Sequence, residues 1–146
     1  MILANEAETE AAGASLGALL RAGDVVALYG DLGAGKTTLA RGILRGLGFE
    51  GEVASPTFPI VITYDPPDVR LPLWHVDLYR IEDPSEIEEL ALEEAADGAL
   101  VIEWPERLGA ALPASALRLR LDRDSAGGRA LTAEGPSSWG ERWPPR

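Results

Sequence analysis

The 146-residue chain contains no cysteine. Disulfides, thiolate-ligated zinc and thiol nucleophiles are therefore excluded, although this absence assigns no compartment. Lysine and histidine each occur once, as Lys36 and His75. No apolar run reaches the roughly 20 residues that a helix needs to cross a bilayer. No secretory leader is recognisable either, so no membrane role is expected and the default location is cytoplasmic. Positive charge is scarce: 13 Lys and Arg stand against 24 Asp and Glu, a net charge of −11. Direct binding to nucleic acid draws on clustered cations that meet phosphates. This chain is therefore expected to meet a nucleic acid, if at all, only indirectly through a partner.

What is present is an ordinary globular composition, 46% hydrophobic and 25% charged, in a chain of single-domain size. One stretch dominates it: Gly30-Asp31-Leu32-Gly33-Ala34-Gly35-Lys36-Thr37-Thr38. It matches the phosphate-loop pattern G-x-x-x-x-G-K-[ST] at every fixed position. Glycines let a backbone approach phosphate closely and adopt torsions closed to side chains. N–H groups of such a turn and of the helix that follows converge on anionic oxygens. Gly33, Ala34, Gly35, Lys36, Thr37 and Thr38 are thus expected to bind a nucleotide. Lys36 would reach the β- and γ-phosphates, and the Thr37 hydroxyl would ligate Mg²⁺. The context agrees. Val25–Tyr29 is an apolar run suited to a buried strand, and Leu39, Ile43, Leu44 and Leu47 recur at helical spacing afterwards. That the only lysine stands at the phosphate position argues against mere surface decoration.

The rest of the chain supplies alternating elements. Asn5 with Glu8 forms a capping-box pattern that opens a helix lined by Ala12, Leu16, Leu19 and Leu20 and ended by Gly23. Ile60–Tyr64 and Leu71–Tyr79, joined by Asp65-Pro66-Pro67-Asp68, read as a hairpin. Asp83-Pro84-Ser85-Glu86 starts another helix, with Ile87, Leu90 and Ala91 inside and Gly98 closing it. Its acidic face (Glu88, Glu89, Glu93, Glu94) reads as solvated. Ala99–Trp104 is an apolar strand. Leu117–Leu121 alternates, setting Arg118 and Arg120 outward, and it turns back through Gly127-Gly128 into Arg129–Thr132. These elements predict an α/β, single-domain P-loop NTPase fold over residues 1–134. It would have three layers and a mixed parallel and antiparallel central sheet. Residues 135–146 are expected as a flexible tail.

A nucleoside-triphosphate site needs acids to hold the metal and to orient water. Two apolar runs deliver them, at Asp77 and Glu103. Glu103 is assigned to the metal and Asp77 to the metal or the attacking water, with the two roles interchangeable; Lys36, Asp77 and Glu103 are the catalytic candidates. A lone histidine on an apolar strand, His75, reads first as structural. Arg80 reads equally as a cation for the transferred phosphate or a surface ion pair. Ser55 and Thr57 lie where switch segments run, or in a Pro-containing turn. Trp104 is expected, by alternation, to point away from Glu103 into core or partner packing.

A switch GTPase would need an N-K-x-D motif, and no second lysine exists to build one. ABC and AAA-type ATPases need longer chains. A small-molecule kinase fits the size but lacks an Arg-rich lid. Four blocks in order, GDLGAGKTT (30–38), SPTF (55–58), HVDLYR (75–80) and VIEWPERLG (101–109), closely resemble the bacterial TsaE family. Members of that family are the ATPases of tRNA threonylcarbamoyladenosine synthesis. The resemblance implies that ATP and Mg²⁺ are bound, the metal by Thr37 and Glu103 with Asp77 also required. It implies partnership with the TsaB–TsaD complex, which would hold the tRNA. It further implies that Thr9, and Arg129 near it, lie by the nucleotide base. The chain departs from the family at Ala91 and Ala95-Ala96, where relatives tend to carry a glycine and an aromatic residue.

Overall fold

In a computed structural model of the protein, residues 1–31, 34–54 and 60–143 are described. Their strands are β1 (Ile2–Leu3), β2 (Val25–Tyr29), β3 (Val61–Tyr64), β4 (Leu73–Asp77), β5 (Ala99–Glu103), β6 (Leu117–Arg123) and β7 (Arg129–Glu134). The α-helices are α1 (Glu6–Gly17), α2 (Lys36–Gly46), α3 (Pro84–Glu89) and α4 (Ser137–Arg142), with 3₁₀ turns at Leu92–Ala95 and Pro105–Ala111.

The strands form one sheet in the order β1-β7-β6-β2-β5-β4-β3. Strand β2 is central, parallel to both β5 and β6, and β4 is parallel to β5. The outer strands β3, β7 and β1 pair antiparallel, so the sheet is mixed, as the sequence predicts. Burial on both faces explains why β2 is apolar throughout. Val26 and Leu28 face a core shared with α1 and α2, whereas Val25 and Ala27 face a second core with Val76, Ile102 and Ile81. The strictly alternating β6 buries Leu117, Leu119 and Leu121 and exposes Arg118 and Arg120.

Helix α1 starts as its sequence dictates. The Asn5 side chain accepts a hydrogen bond from the Glu8 N–H at 2.9 Å, and the Glu8 carboxylate accepts in turn from the Ala4 N–H. The helix ends at Gly17, earlier than the Gly23 expected, and this leaves Leu19 38% exposed. The helix also packs against α2 at unusually short range. A Cβ on Gly17 would sit 2.1 Å from the Ile43 carbonyl oxygen, and one on Gly42 would sit 2.1 Å from that of Glu10. Gly13 and Gly46 are equally tight, at 2.4 Å from Leu39 O and 2.2 Å from Ala14 O. Glycines four apart on each helix therefore let the two backbones touch. Residue numbers rise together along the contact, so α1 and α2 run in the same direction and their N-termini lie at one end.

Two further expectations are corrected. Chain 135–143 is not a loose tail: α4 lies in it, and Trp139 and Trp143, four apart on one face, are buried in the main core. Their indole N–H groups donate to Ser115 O (2.9 Å) and Ser15 Oγ (2.8 Å). Arg142 meanwhile pairs with Asp24 at 2.7 Å. The helix capped by Asp83 stops at Glu89 and does not continue to Gly98, because Ala91 takes a left-handed conformation (φ 51°). That is the position where the family resemblance leads one to expect glycine, the residue to which such torsions come free. Among the described residues, no helix is long and apolar enough to cross a membrane.

Candidate active site

In an open α/β sheet, ligands bind beyond the carboxyl ends of the parallel strands. Three such ends meet here. Strand β2 runs into Gly30, β4 ends on Asp77 and β5 ends on Glu103, with Asp77 and Glu103 opposite each other in register. The loop after β2 uses its glycines for conformation and for space. Gly30 has φ 143°, and a Cβ there would meet the Leu121 carbonyl oxygen at 2.6 Å. Gly35 caps α2 at φ 106°, a torsion closed to most side chains. The Ala34 N–H closes a turn onto Asp31 O at 3.0 Å. Gly33, expected among the phosphate-binding residues, and the Ser55–Phe58 block lie outside the described residues.

A cavity of about 410 Å³ opens at this point, a size suited to a small ligand. Lys36, Thr37 and Thr38 line it from α2, Asp77 and Glu103 from the sheet, and Asn5, Glu6 and Thr9 from the start of α1. Because α1 and α2 run side by side in one direction, both helix N-termini point into the cavity, adding positive potential that favours an anion. The Thr37 side is exposed to it.

Lys36 is the electrostatic oddity of the site. It is only 5% exposed, and its Nζ is buried with no hydrogen-bond partner among the described residues. It sits 3.9 Å from the centroid of the Trp104 ring. Burial pulls its pKa below the ordinary lysine value, against the fields of Glu103 and Asp77, which raise it. Burial likewise pushes the Asp77 carboxyl up, opposed by the N–H of Tyr79, which donates to Asp77 Oδ1 at 2.9 Å. Glu103 Oε2 lies 2.7 Å from His75 Nε2 in a pair that is almost wholly buried. When Glu103 is in its carboxylate form it only accepts, and the shared proton then sits on Nε2. His75 is thereby placed one step behind the site, holding Glu103 in position. Its Nδ1 has no hydrogen-bond partner among the described residues.

Of the residues singled out from sequence, Thr9, Gly35, Lys36, Thr37, Thr38, Asp77, Glu103 and Arg129 line the one cavity. Thr9 is buried, with its hydroxyl turned to Asn5 O at 3.3 Å. Arg129 donates from Nε to Ala34 O at 2.7 Å, so β7 grips the backbone of the phosphate loop. Ala34 is buried beneath that contact and does not line the cavity. Arg80 is exposed and outside the cavity lining. The expectation for Trp104 fails. Strand β5 ends at Glu103 and Trp104 has φ 57°, so alternation no longer governs its direction and the ring faces the cavity. Sequence reasoning also missed Asn5 and Glu6, whose only signal was their place at a helix cap, and Gly127-Gly128, which was legible only as a turn.

Against known proteins, residues 3–131 match the family model described as Threonylcarbamoyl adenosine biosynthesis protein TsaE. The tRNA threonylcarbamoyladenosine biosynthesis protein TsaE of Streptomyces coelicolor is 46% identical over 137 residues, 90% of either chain. The protein of the same name from Bacillus subtilis is 41% identical over 130 residues, covering 88% of this chain and 80% of that one. Among solved structures, Bacillus subtilis YdiB superposes with a TM-score of 0.73 at 30% identity, across 94% of this chain and 85% of the other. On these matches the chain belongs to the TsaE family.

Proposed function

We propose that this protein is a magnesium-dependent ATPase of tRNA threonylcarbamoyladenosine biosynthesis, and that it works on a TsaB–TsaD complex rather than on tRNA itself. The observation that carries the reading is Lys36: a buried ammonium with no hydrogen-bond partner among the described residues, lining a cavity into which two helix N-termini open. A buried unpartnered cation is costly, and a triphosphate would satisfy it. The acids fit as well. Mg²⁺ is typically held by one or two carboxylates together with substrate phosphates, and Thr37, Glu103 and Asp77 offer that donor set.

When bound, the metal would supply positive charge that offsets the charge developing as the terminal phosphoryl group transfers. The chain's own part is positioning. Gly35 to Thr38 direct N–H groups and the Lys36 ammonium at the phosphates, and Thr37 and Glu103 hold the metal, with His75 fixing Glu103. Asp77 has Oδ1 engaged by Tyr79, which leaves Oδ2 to accept a hydrogen bond from the attacking water. Its raised pKa makes it a better base than an exposed carboxylate. Strong acidity, −11 overall, suits a subunit that leaves tRNA contact to its partners.

The test is ATP turnover with and without purified TsaB and TsaD. Stimulation by the partners, lost in Glu103→Gln, is the expected result. Unchanged turnover, or phosphorylation of a small metabolite in place of hydrolysis, would replace this reading with that of a small-molecule kinase.

A further inference from the structure

We propose that Trp104 is a positioning residue for Lys36: its indole face keeps the ammonium off the carboxylates of Asp77 and Glu103, so that the lysine stays available to phosphate and the acids to the metal. The inference rests on the nucleotide reading above and adds a residue to it.

Three observations carry it. The first is what Lys36 does not do. Both acids act on it electrostatically, yet among the described residues neither forms an ion pair with it. A desolvated ammonium next to two carboxylates would ordinarily collapse onto one of them. Each acid is instead tied elsewhere, Glu103 to His75 and Asp77 to the Tyr79 N–H, and the ammonium rests on the ring at 3.9 Å. A π face attracts a cation without demanding directed hydrogen bonds, so the lysine donors stay free for phosphate.

The second observation is how the ring comes to be there. Trp104 is a bulky residue with φ 57° and ψ 50°, a conformation that for such residues marks a turn held by its surroundings. With extended torsions the ring would fall on the far side of the sheet from Glu103. The left-handed residue turns it over the site, and Pro105 then starts the 3₁₀ turn.

The third is that the ring is braced. It packs against the Tyr79 ring, with centroids 5.0 Å apart and planes inclined at 46°, and Arg107 donates to the Tyr79 backbone carbonyl at 3.4 Å. A braced ring can hold the ammonium in one place; a loose one would follow it.

The experiment measures binding of a fluorescent N-methylanthraniloyl ADP in EDTA, where the acids are not needed for metal. Trp104→Leu should weaken binding about thirtyfold, the scale of a desolvated cation–π contact, while Trp104→Phe, which keeps a π face, should retain most of the affinity. In a Lys36→Met background the same Trp104→Leu change should alter binding by less than about twofold. An equal loss in both backgrounds would mean that Trp104 acts by packing alone, and an unaffected Trp104→Leu protein would remove any role; either result overturns the proposal. A crystal structure of nucleotide-free Trp104→Leu supplies an independent check. Lys36 Nζ should lie within ion-pair distance of Asp77 or Glu103, and an unmoved lysine would refute the positioning role. Should the wild-type protein fail to bind the ADP probe, the nucleotide reading itself would fall, a result separate from these.

Discussion

Replacing Gly42 with alanine sets two effects of known size against each other. Alanine is the better helix former, by about 1 kcal/mol per residue in a helix interior. Against this, the new methyl group would lie 2.1 Å from the Glu10 carbonyl oxygen, where ordinary contact begins at 3.4 Å. The helices must therefore part by about 1.3 Å at this point, and both clashing groups belong to backbone, so no rotamer change relieves them. Parting them also opens the neighbouring contacts of Gly13 with Leu39 and of Gly46 with Ala14. Overpacking of this kind costs about 1–3 kcal/mol, and the rigid geometry places Gly42→Ala at the upper end, for a net loss of about 2 kcal/mol after the propensity gain. Gly140→Ala is the control. It lies in α4 with nothing within 4 Å of the added carbon, so only the propensity term remains and the protein should gain up to about 1 kcal/mol. Urea unfolding of the three nucleotide-free proteins at neutral pH measures both differences. A Gly42→Ala protein as stable as the wild type would refute the argument that backbone contact fixes α1 on α2. Nucleotide affinity gives a second readout, since α1 carries Asn5, Glu6 and Thr9 to the cavity and α2 carries Lys36 to Thr38.

Three other substitutions test the energetics of the site and the core. Asp77 has its folded-state pKa raised, chiefly by burial. Its contribution to stability is full below the ordinary carboxylate value of 3.8 and is lost as pH rises through the folded-state value. Asp77→Asn should therefore stabilise the nucleotide-free protein at neutral pH, with the gain vanishing in acid, even as Mg²⁺-dependent turnover is lost; a pH series of thermal melts reads this. His75→Ala removes the group bonded to the buried Glu103 carboxylate. It should cost about 1–3 kcal/mol and weaken Mg²⁺ affinity by about 10–100-fold, seen as a shifted Mg²⁺ titration of turnover. Trp143→Ala empties a site only 1% exposed and breaks the bond to Ser15. A loss of about 3–5 kcal/mol is expected, and a change below about 1 kcal/mol in chemical denaturation would show that α4 is dispensable.

Much of the fold was legible because its signals are local. The buried strands β2, β4 and β5 are continuous apolar runs, and the two that end in an acid end at the site. The phosphate loop is a fixed pattern whose strand and helix flank it in the required order. What was not legible depends on backbone torsion or on distant contact. Trp104 was misdirected because alternation was assumed past Glu103, where the chain turns left-handed. The end of α1 was placed six residues too late. The close approach of Gly13 and Gly17 to two glycines on another helix was likewise not foreseen, although the spacing of four in both helices was a readable sign. The chain after Gly135 looked loose because it is rich in Gly, Pro and Ser. Its order comes from two tryptophans that bury themselves in the core beside α1 and β6, a gain invisible to composition. His75 was weighed on its own, and its role rests on Glu103, which the fold brings alongside it from 28 residues away.

The central claim is that the cavity around Lys36 binds the phosphates of a nucleotide. Calorimetric titration of the purified protein with MgADP, beside Lys36→Ala, tests it most directly. The account predicts one binding site per chain in the wild-type protein and binding weakened at least about 100-fold in a Lys36→Ala protein whose circular dichroism is unchanged. Undiminished binding by Lys36→Ala would contradict it.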